Sequence, residues 1–321
     1  MLISNLHLSI IKHFFFDVNS ENVKIGTPLK DKIITEKNIE FFTNLTQISG
    51  PVVYFDNRII RLDERFLSVL WAITYYHLVM NESIYDEDLF DSSTSCLNLD
   101  MPILAKATSL LDWAFRQLEC FENWDITLPN PTHYSIVDPR EDAYITQANY
   151  IYCKAVSFLL FHEYGHLILL HENFYNEFQS MNFRQMSKEE IIQAQYLHKE
   201  HEKEADNYAF SMLLSDSKNE NSNMNNFMGV CMATLILLFY SKDGIIDRKL
   251  HPDVDQRILN AMNYYAIEDS KMDNILQSMN IGIARFFANL QIDLLNGLDN
   301  HIDRETFFRN IMEKFDQIKN R

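Results

Sequence analysis

The sequence predicts a mainly α-helical fold of the α+β type, with a small β-sheet in its N-terminal part. The chain has 321 residues, and 47% of them are hydrophobic, which is enough for a large core. It contains only 7 Gly and 7 Pro, which is few for an architecture of many short strands joined by tight turns. Apolar residues also recur at helical spacing over several long stretches. We therefore expect helices to form most of the core.

Residues 1–135 are predicted to form an α+β region with a β-hairpin near residues 51–62. Two short apolar runs there flank the turn-like pair Asp56-Asn57. Asp63 can cap a helix that follows, because apolar residues recur at helical spacing after it. A polar surface loop and a second helix are then expected. They cover residues 81–100 and 102–121, respectively.

Residues 136–321 are predicted to form a second, mostly helical region. Three prolines between residues 127 and 142 break the helical pattern and mark the boundary between the two regions. Beyond them, apolar residues at helical spacing lead into His162. The apolar run 227–240 is shorter than the roughly 20 residues that a membrane-spanning helix needs. It predicts a buried core helix, and we expect no transmembrane segment.

The charge and the N-terminus narrow the classes of protein. A formal net charge of -17 would repel a phosphate backbone, so no nucleic-acid partner is expected. Residues 1–16 have neither the basic start nor the small-residue cleavage site of a secretion signal. We therefore expect a cytoplasmic protein.

The run His162-Glu163-Tyr164-Gly165-His166 predicts a metal site. Its two imidazoles lie one helical turn apart on an apolar helix, where burying them without a partner would be costly. A zinc ion supplies that partner, and a catalytic zinc site uses three protein ligands and leaves one position open. A chance match of so short a motif is the alternative, and metal analysis of the purified protein would test it.

The third ligand is expected on a second helix. After a polar loop over residues 172–186, Ser187 and Glu190 form a capping box for that helix. Glu202 and Asp206 are four residues apart on it and share one face. Glu202 could bind zinc directly, and Asp206 could accept the N–H of a ligand histidine. Glu204 and His201 remain alternatives to Glu202.

Two further interpretations concern the neighbourhood of these ligands. His171 is interpreted as part of the solvated end of the first helix. Ala205 and Ala209 are small enough to let the two helices approach each other closely.

These residues resemble those of the gluzincin metallopeptidases, in which a Glu on a second helix completes a two-histidine zinc site. His251-Pro252 followed by Arg257-Ile258 is similar to an element found downstream of the ligand Glu in several of these families. The motifs cover about residues 148–260. The resemblance implies a zincin-like helical core.

Within the gluzincins, the chain looks most like the Lit family of bacterial phage-exclusion proteases. That resemblance implies an enzyme of abortive infection whose substrate is elongation factor Tu. The regulatory proteases of the ImmA/IrrE type have similar ligands, but they commonly carry Asn where Asp206 stands here.

The chemistry expected of this site is hydrolysis of a peptide bond in a protein substrate. Zinc would be held by His162, His166 and Glu202, and Glu163 would be the general base. The resemblance makes His251 a candidate donor to the oxyanion, and Tyr164 and Tyr208 are other candidates. Arg257 would either bind a carboxylate or hold the local fold. The alternative is that His251 and Arg257 are an ordinary surface pair.

A non-catalytic zinc-stabilised sensor or binding protein is the rival interpretation. Structural zinc sites are normally closed by four protein ligands, and His201 is a candidate for the fourth. Glu163 would have no function in such a site, which favours the enzyme. An enzyme acting on an essential factor would also need control, so an activating partner or phage peptide is expected.

Overall fold

The computed structural model describes most of the chain up to residue 240 and short groups beyond it. The described residues are 2–15, 34–83, 90–91, 96–97, 101–132, 138–182, 184–214, 220–240, 256–257, 260–261, 264, 275, 279–280, 283–284, 306, 309–311, 313–314 and 317. Within them the chain is mainly helical and has a small three-stranded sheet, which confirms the predicted fold class.

The N-terminal sheet contains the predicted hairpin and one further strand. A 3₁₀ turn (Leu2–Leu6), helix α1 (His7–Phe15) and a second 3₁₀ turn (Glu36–Asn38) precede strands β1 (Ile39–Phe42), β2 (Val52–Tyr54) and β3 (Ile59–Asp63). The strand order is β1-β3-β2, with β3 parallel to β1 and antiparallel to β2. The β2–β3 hairpin confirms the prediction near residues 51–62.

Two helices and a small second sheet follow. They are α2 (Glu64–Ser83), β4 (Phe90–Asp91), β5 (Cys96–Leu97) and α3 (Pro102–Glu119). Asp63 caps α2 as predicted, because its Oδ1 accepts a hydrogen bond from the backbone N–H of Arg65 at 3.0 Å. The prediction of a loop over residues 81–100 was wrong where α2 continues and where β4 pairs with β5. The other residues of that stretch lie outside the described ones.

Helix α4 (Pro139–Ile168) is the central element of the fold. It packs against α1 and α2, and against the later helices α6 (Lys188–Leu214) and α7 (Glu220–Tyr240). Pro139 is its first residue, and the side chain of Asp138 caps it by accepting from the backbone N–H of Arg140 at 3.0 Å. The division of the chain into residues 1–135 and 136–321 stays a prediction.

Two glycines bring neighbouring helices close to α4. A Cβ added to Gly229 on α7 would lie 2.7 Å from Cβ of Lys154, so no larger residue fits without a shift. A Cβ added to Gly165 would lie 3.3 Å from Cα of Ala205 on α6 and 3.2 Å from the ring of Tyr208. The backbones of α4 and α6 therefore approach each other at Ala205, as expected from its small side chain.

The remaining elements are the capped start of α6, a short helix and the apolar helix α7. In the predicted capping box, the backbone N–H of Ser187 donates to Oε2 of Glu190 at 2.7 Å and that of Glu190 donates to Oγ of Ser187 at 3.2 Å. Helix α5 (Glu172–Ser180) occupies part of the stretch 172–186, so the prediction of a loop there was wrong in that part.

Residues 226–236 of α7 are buried, which confirms the predicted core helix. None of the helices in the described part of the chain is long and apolar enough to span a membrane.

Candidate metal and active site

Three side chains from two helices meet where α4 and α6 cross. His162 and His166 lie one turn apart near the C-terminal end of α4, and Glu202 projects from α6 towards both rings. All three are buried, with exposed fractions of 6%, 3% and 4%. Glu204, the alternative third ligand, belongs to a different group. The geometry therefore favours Glu202 as the residue that completes the group.

The spacing of the three side chains fits a metal ion. The two Nε2 atoms are 3.3 Å apart, and Nε2 of His162 lies 3.3 Å from Oε2 of Glu202. Nε2 of His166 lies 3.5 Å from Oε1 of Glu202. A tetrahedral zinc ion with bonds of 2.0–2.1 Å would hold its ligand atoms about 3.4 Å apart. The group His162, His166 and Glu202 can therefore hold a metal ion without a large rearrangement.

Asp206 and Arg257 extend the group behind His162. Nδ1 of His162 lies 2.8 Å from Oδ1 of Asp206, which in turn accepts from Nη2 of Arg257 at 2.5 Å. Asp206 is buried, and burial would raise the pKa of its carboxyl, but Arg257 and His162 outweigh this and lower that pKa. An ionised Asp206 accepts the Nδ1–H of His162, so in the neutral imidazole the Nε2 lone pair faces the other two ligands. Arg257 thus contacts a carboxylate of the site itself.

Tyr175 on α5 is a residue of the site that sequence reasoning missed. Its hydroxyl donates a hydrogen bond to Oε1 of Glu202. Its ring centroid lies 5.3 Å from that of His166 and 5.6 Å from that of Phe55 in the β2–β3 turn. Burial and the neighbouring Glu202 raise the pKa of Tyr175, so the phenol stays protonated and remains a donor. No sequence signal singles out Tyr175, because the polar stretch around it predicts a loop.

Glu163 lies beside the buried group and is only partly buried. Its charge contributes to raising the pKa of both Tyr175 and Arg257, so its carboxylate is near both side chains.

Of the candidates for an oxyanion donor, His251 lies outside the described residues. Tyr164 is fully buried, and its ring packs near the rings of Phe14 and Tyr208.

The interpretation of His171 as a solvated residue was wrong. Its exposed fraction is 3%, and its Nδ1 lies 2.9 Å from Nδ1 of His166. Its Nε2 lies 3.1 Å from Oε2 of Glu204, whose side chain is 58% exposed. His171, Glu204 and His201 form a second group of possible metal ligands. The sequence suggested solvent because His171 follows the last helical turn, but the chain bends back there.

The two histidines of the buried group have opposite protonation preferences in the absence of a metal. Burial lowers the pKa of His162, but its hydrogen bonds to Asp206 and Glu202 and their charges outweigh burial and raise the pKa to about 10. Burial and the charge of His162 lower the pKa of His166 to about 3. At neutral pH His162 is therefore protonated and His166 is neutral.

This difference predicts a proton release on metal binding. A metal must displace the Nε2 proton of His162, so the apparent affinity should rise with pH up to the raised pKa. At pH 8, zinc binding should release about one proton more from the wild type than from an Asp206→Asn variant, in which His162 has lost the carboxylate on its Nδ1 side that contributes most to raising its pKa. Calorimetry in two buffers of different ionisation enthalpy measures the difference. Equal proton counts would contradict the assignment.

The fold and the site together define a class of protein. It is a mainly helical protein with a buried group of two histidines and one glutamate that can hold a metal ion. Three-ligand sites of this kind are typical of metal-dependent hydrolases.

The chain belongs to the Peptidase U49 family, whose model matches residues 60–279. The match includes both helices of the site, and the family makes the chain a protease with a protein substrate. A comparison with curated proteins finds no match. A comparison with solved structures likewise finds none.

Proposed function

We propose that the chain is a zinc-dependent endopeptidase that hydrolyses a peptide bond in a cytoplasmic protein. The observation that supports this most directly is the spacing of His162, His166 and Glu202, whose ligand atoms lie 3.3 to 3.5 Å apart. Membership of a peptidase family supports the same reaction class. A zinc ion held there would supply an activated water and polarise the scissile carbonyl.

The residues of the chain have distinct tasks in this proposal. His162, His166 and Glu202 hold the ion, and Asp206 orients His162 through the Nδ1 contact of 2.8 Å. Arg257 contacts Asp206 from the other side and keeps its carboxyl ionised. Tyr175 orients Glu202 through the hydrogen bond from its hydroxyl. His162 and Glu202 would thus each keep one orientation before substrate binds.

Glu163 is the general base of the proposal. It follows His162 directly, which keeps it close to the ligands while its carboxylate points to one side of them. The carboxylate takes the proton of the attacking water and passes it to the leaving amine. The charge of Glu163 contributes to raising the pKa of Arg257, so the guanidinium lies near the proposed base. His251 remains the candidate donor to the oxyanion.

A role in phage exclusion is the finer part of the proposal. The resemblance of the motifs to the Lit family suggests abortive infection, with elongation factor Tu as the candidate substrate. Cleavage of such an essential factor requires control, so an activating partner or a phage peptide belongs to the proposal. An ImmA/IrrE-type regulatory protease is the alternative, and Asp206 in place of the usual Asn argues against it.

A non-catalytic zinc site is less well supported. The group that could hold the ion has three members among the described residues, and His201 lies in the other group with His171 and Glu204. A closed structural site would need a fourth protein ligand. Glu163 beside the ligands also has no structural task in such a site.

The test of the function is a map of newly formed protein N-termini in cells. Cells expressing the wild type, with and without phage infection, are compared with cells expressing Glu163→Gln. The proposal expects termini that appear with the wild type and are absent with the variant, among them termini from elongation factor Tu. Identical maps in both infection states would reject a protease function, whereas termini only in other proteins would reject the substrate alone.

A further inference from the structure

We propose that His171 and Glu204 are positioning residues that orient His166 for the metal. The proposal rests on the metal site described above and adds a second relay to it. On one side Asp206 contacts His162 directly. On the other side Glu204 contacts His171, which contacts His166. Both metal-binding histidines would then be held by a carboxylate, one directly and one through a second imidazole.

The tautomer of His166 is set by the direction in which its Nε2 points. That atom faces Nε2 of His162 and Oε1 of Glu202, so the lone pair for the metal must be on Nε2. A neutral imidazole with its lone pair on Nε2 has its proton on Nδ1. His166 is buried, and that Nδ1–H therefore needs an acceptor. The atom in position to accept is Nδ1 of His171, at 2.9 Å.

The tautomer of His171 is set in turn by its contact with His166. To accept from His166, its Nδ1 must be unprotonated, so a neutral His171 has its proton on Nε2. That Nε2–H points to Oε2 of Glu204 at 3.1 Å. A single arrangement of protons therefore satisfies both contacts, and it gives His166 the tautomer that the metal requires. The carboxylate of Glu204 also makes His171 a better acceptor.

The backbone at the end of α4 supports the same role. The N–H of His171 donates to the carbonyl of His166 at 3.1 Å, and the N–H of Leu170 donates to that of Leu167 at 3.4 Å. This is the hydrogen-bond pattern of a Schellman motif, which brings the residue after the left-handed position back over the last turn. Leu170 occupies that position with φ of 59°, which is unfavourable for a residue other than glycine. The motif places the ring of His171 against that of His166.

The strain at Leu170 has no evident purpose in packing. Its side chain is 77% exposed, so burial of Leu170 does not hold the bend. The contacts that the bend makes possible are those of His171. The bend therefore serves to position the ring of His171.

A second metal ion bound by His171, Glu204 and His201 is the competing interpretation. Nδ1 of His201 is buried and has no hydrogen-bond partner among the residues that the structure describes, which favours a second ion. A metal on Nε2 of His171 would, however, place the proton of that ring on Nδ1, where it would face the Nδ1–H of His166 at 2.9 Å. Occupation of both sites would thus bring two donors together. The relay therefore accounts for the described contacts better than a second ion does.

The test compares two substitutions of His171. The amide oxygen of Asn lies where Nδ1 of His171 lies, so His171→Asn keeps the acceptor, whereas His171→Leu removes it. The dissociation constant of zinc, measured by competition with a chromogenic chelator, should rise about 10- to 100-fold in His171→Leu. It should rise much less in His171→Asn. Equal effects of both variants would overturn the proposal.

Three further variants distinguish the relay from a second metal site and from a general loss of surface charge. His201→Ala should leave the wild-type stoichiometry of one zinc per chain and its affinity unchanged, whereas a fall from two ions to one would establish the second metal site. Glu204→Ala should weaken zinc binding less than His171→Leu, because Glu204 is largely exposed and water can replace its contact. Glu189→Ala is the matched control for loss of an exposed carboxylate on α6, and it should have no effect.

The outcomes also distinguish this proposal from the proposed function. If the wild type binds no zinc, the metal site itself fails. Only the relay fails if three results occur together: the wild type binds zinc, His162→Ala abolishes that binding, and His171→Leu leaves the affinity unchanged. Thermal unfolding of each variant in the metal-free state checks that a loss of affinity is not a loss of fold.

Discussion

Glu163→Gln is expected to reduce proteolysis by about 10²- to 10⁴-fold, the contribution typical of a general base. Glutamine has nearly the same shape as glutamate, but its amide cannot take a proton from water at neutral pH. Glu163 is only partly buried and is not one of the three ligands, so the variant should fold and keep one zinc per chain. The rate is measured on a substrate that the map of N-termini identifies, and zinc is measured by elemental analysis.

Glu189→Gln provides the matched control for this prediction. Glu189 is exposed in the first turn of α6, and its substitution should leave the rate unchanged. Cleavage at the wild-type rate by Glu163→Gln would remove Glu163 from the mechanism. Loss of zinc together with loss of activity would instead give Glu163 a part in holding the ion.

Glu202→Ala is expected to have the largest effect on metal binding. Its carboxylate faces both histidines of the group, and loss of an outer partner of a ligand costs only about 10- to 100-fold in affinity. Removal of a ligand should cost more than that. The variant should also lose proteolysis, because the ion is required for the reaction. Equilibrium dialysis against a zinc buffer measures the affinity.

Glu204→Ala is the comparison that makes this second prediction specific. Glu204 lies two residues further along α6, contacts His171 and lies outside the group formed by His162 and His166. The variant should keep one zinc per chain, with an affinity within about 10-fold of the wild type. The reverse result, with zinc lost in Glu204→Ala and retained in Glu202→Ala, would transfer the ligand role to Glu204.

Local geometry made several features predictable from the sequence. Residues four apart on a helix share a face, so the pairs His162 and His166, and Glu202 and Asp206, could be recognised from spacing alone. The capping box of Ser187 and Glu190 could be recognised because both of its hydrogen bonds join residues three positions apart.

Features that depend on distant parts of the chain were missed. Strand β1 has four residues, and its partner β3 is parallel to it and follows about 20 residues later, so no hairpin signal marks it. Helix α5 has nine residues, which is too short to be stable alone. Its aromatic side chains pack against histidines of α6. The residues next to α5 in the sequence do not predict these contacts.

By itself the sequence determined the helical class of the fold, the two helices of the site and which of their residues share a face. These follow from short-range rules, since hydrogen bonding within a helix gives side chains a regular spacing. The tertiary structure decided which side chains meet: Glu202 with the two histidines, Arg257 with Asp206, and His171 with both His166 and Glu204. Those contacts depend on how closely α4 and α6 approach, which results from packing between parts that are distant in sequence. They also depend on the bend at Leu170, where a non-glycine residue takes a positive φ that the sequence does not signal.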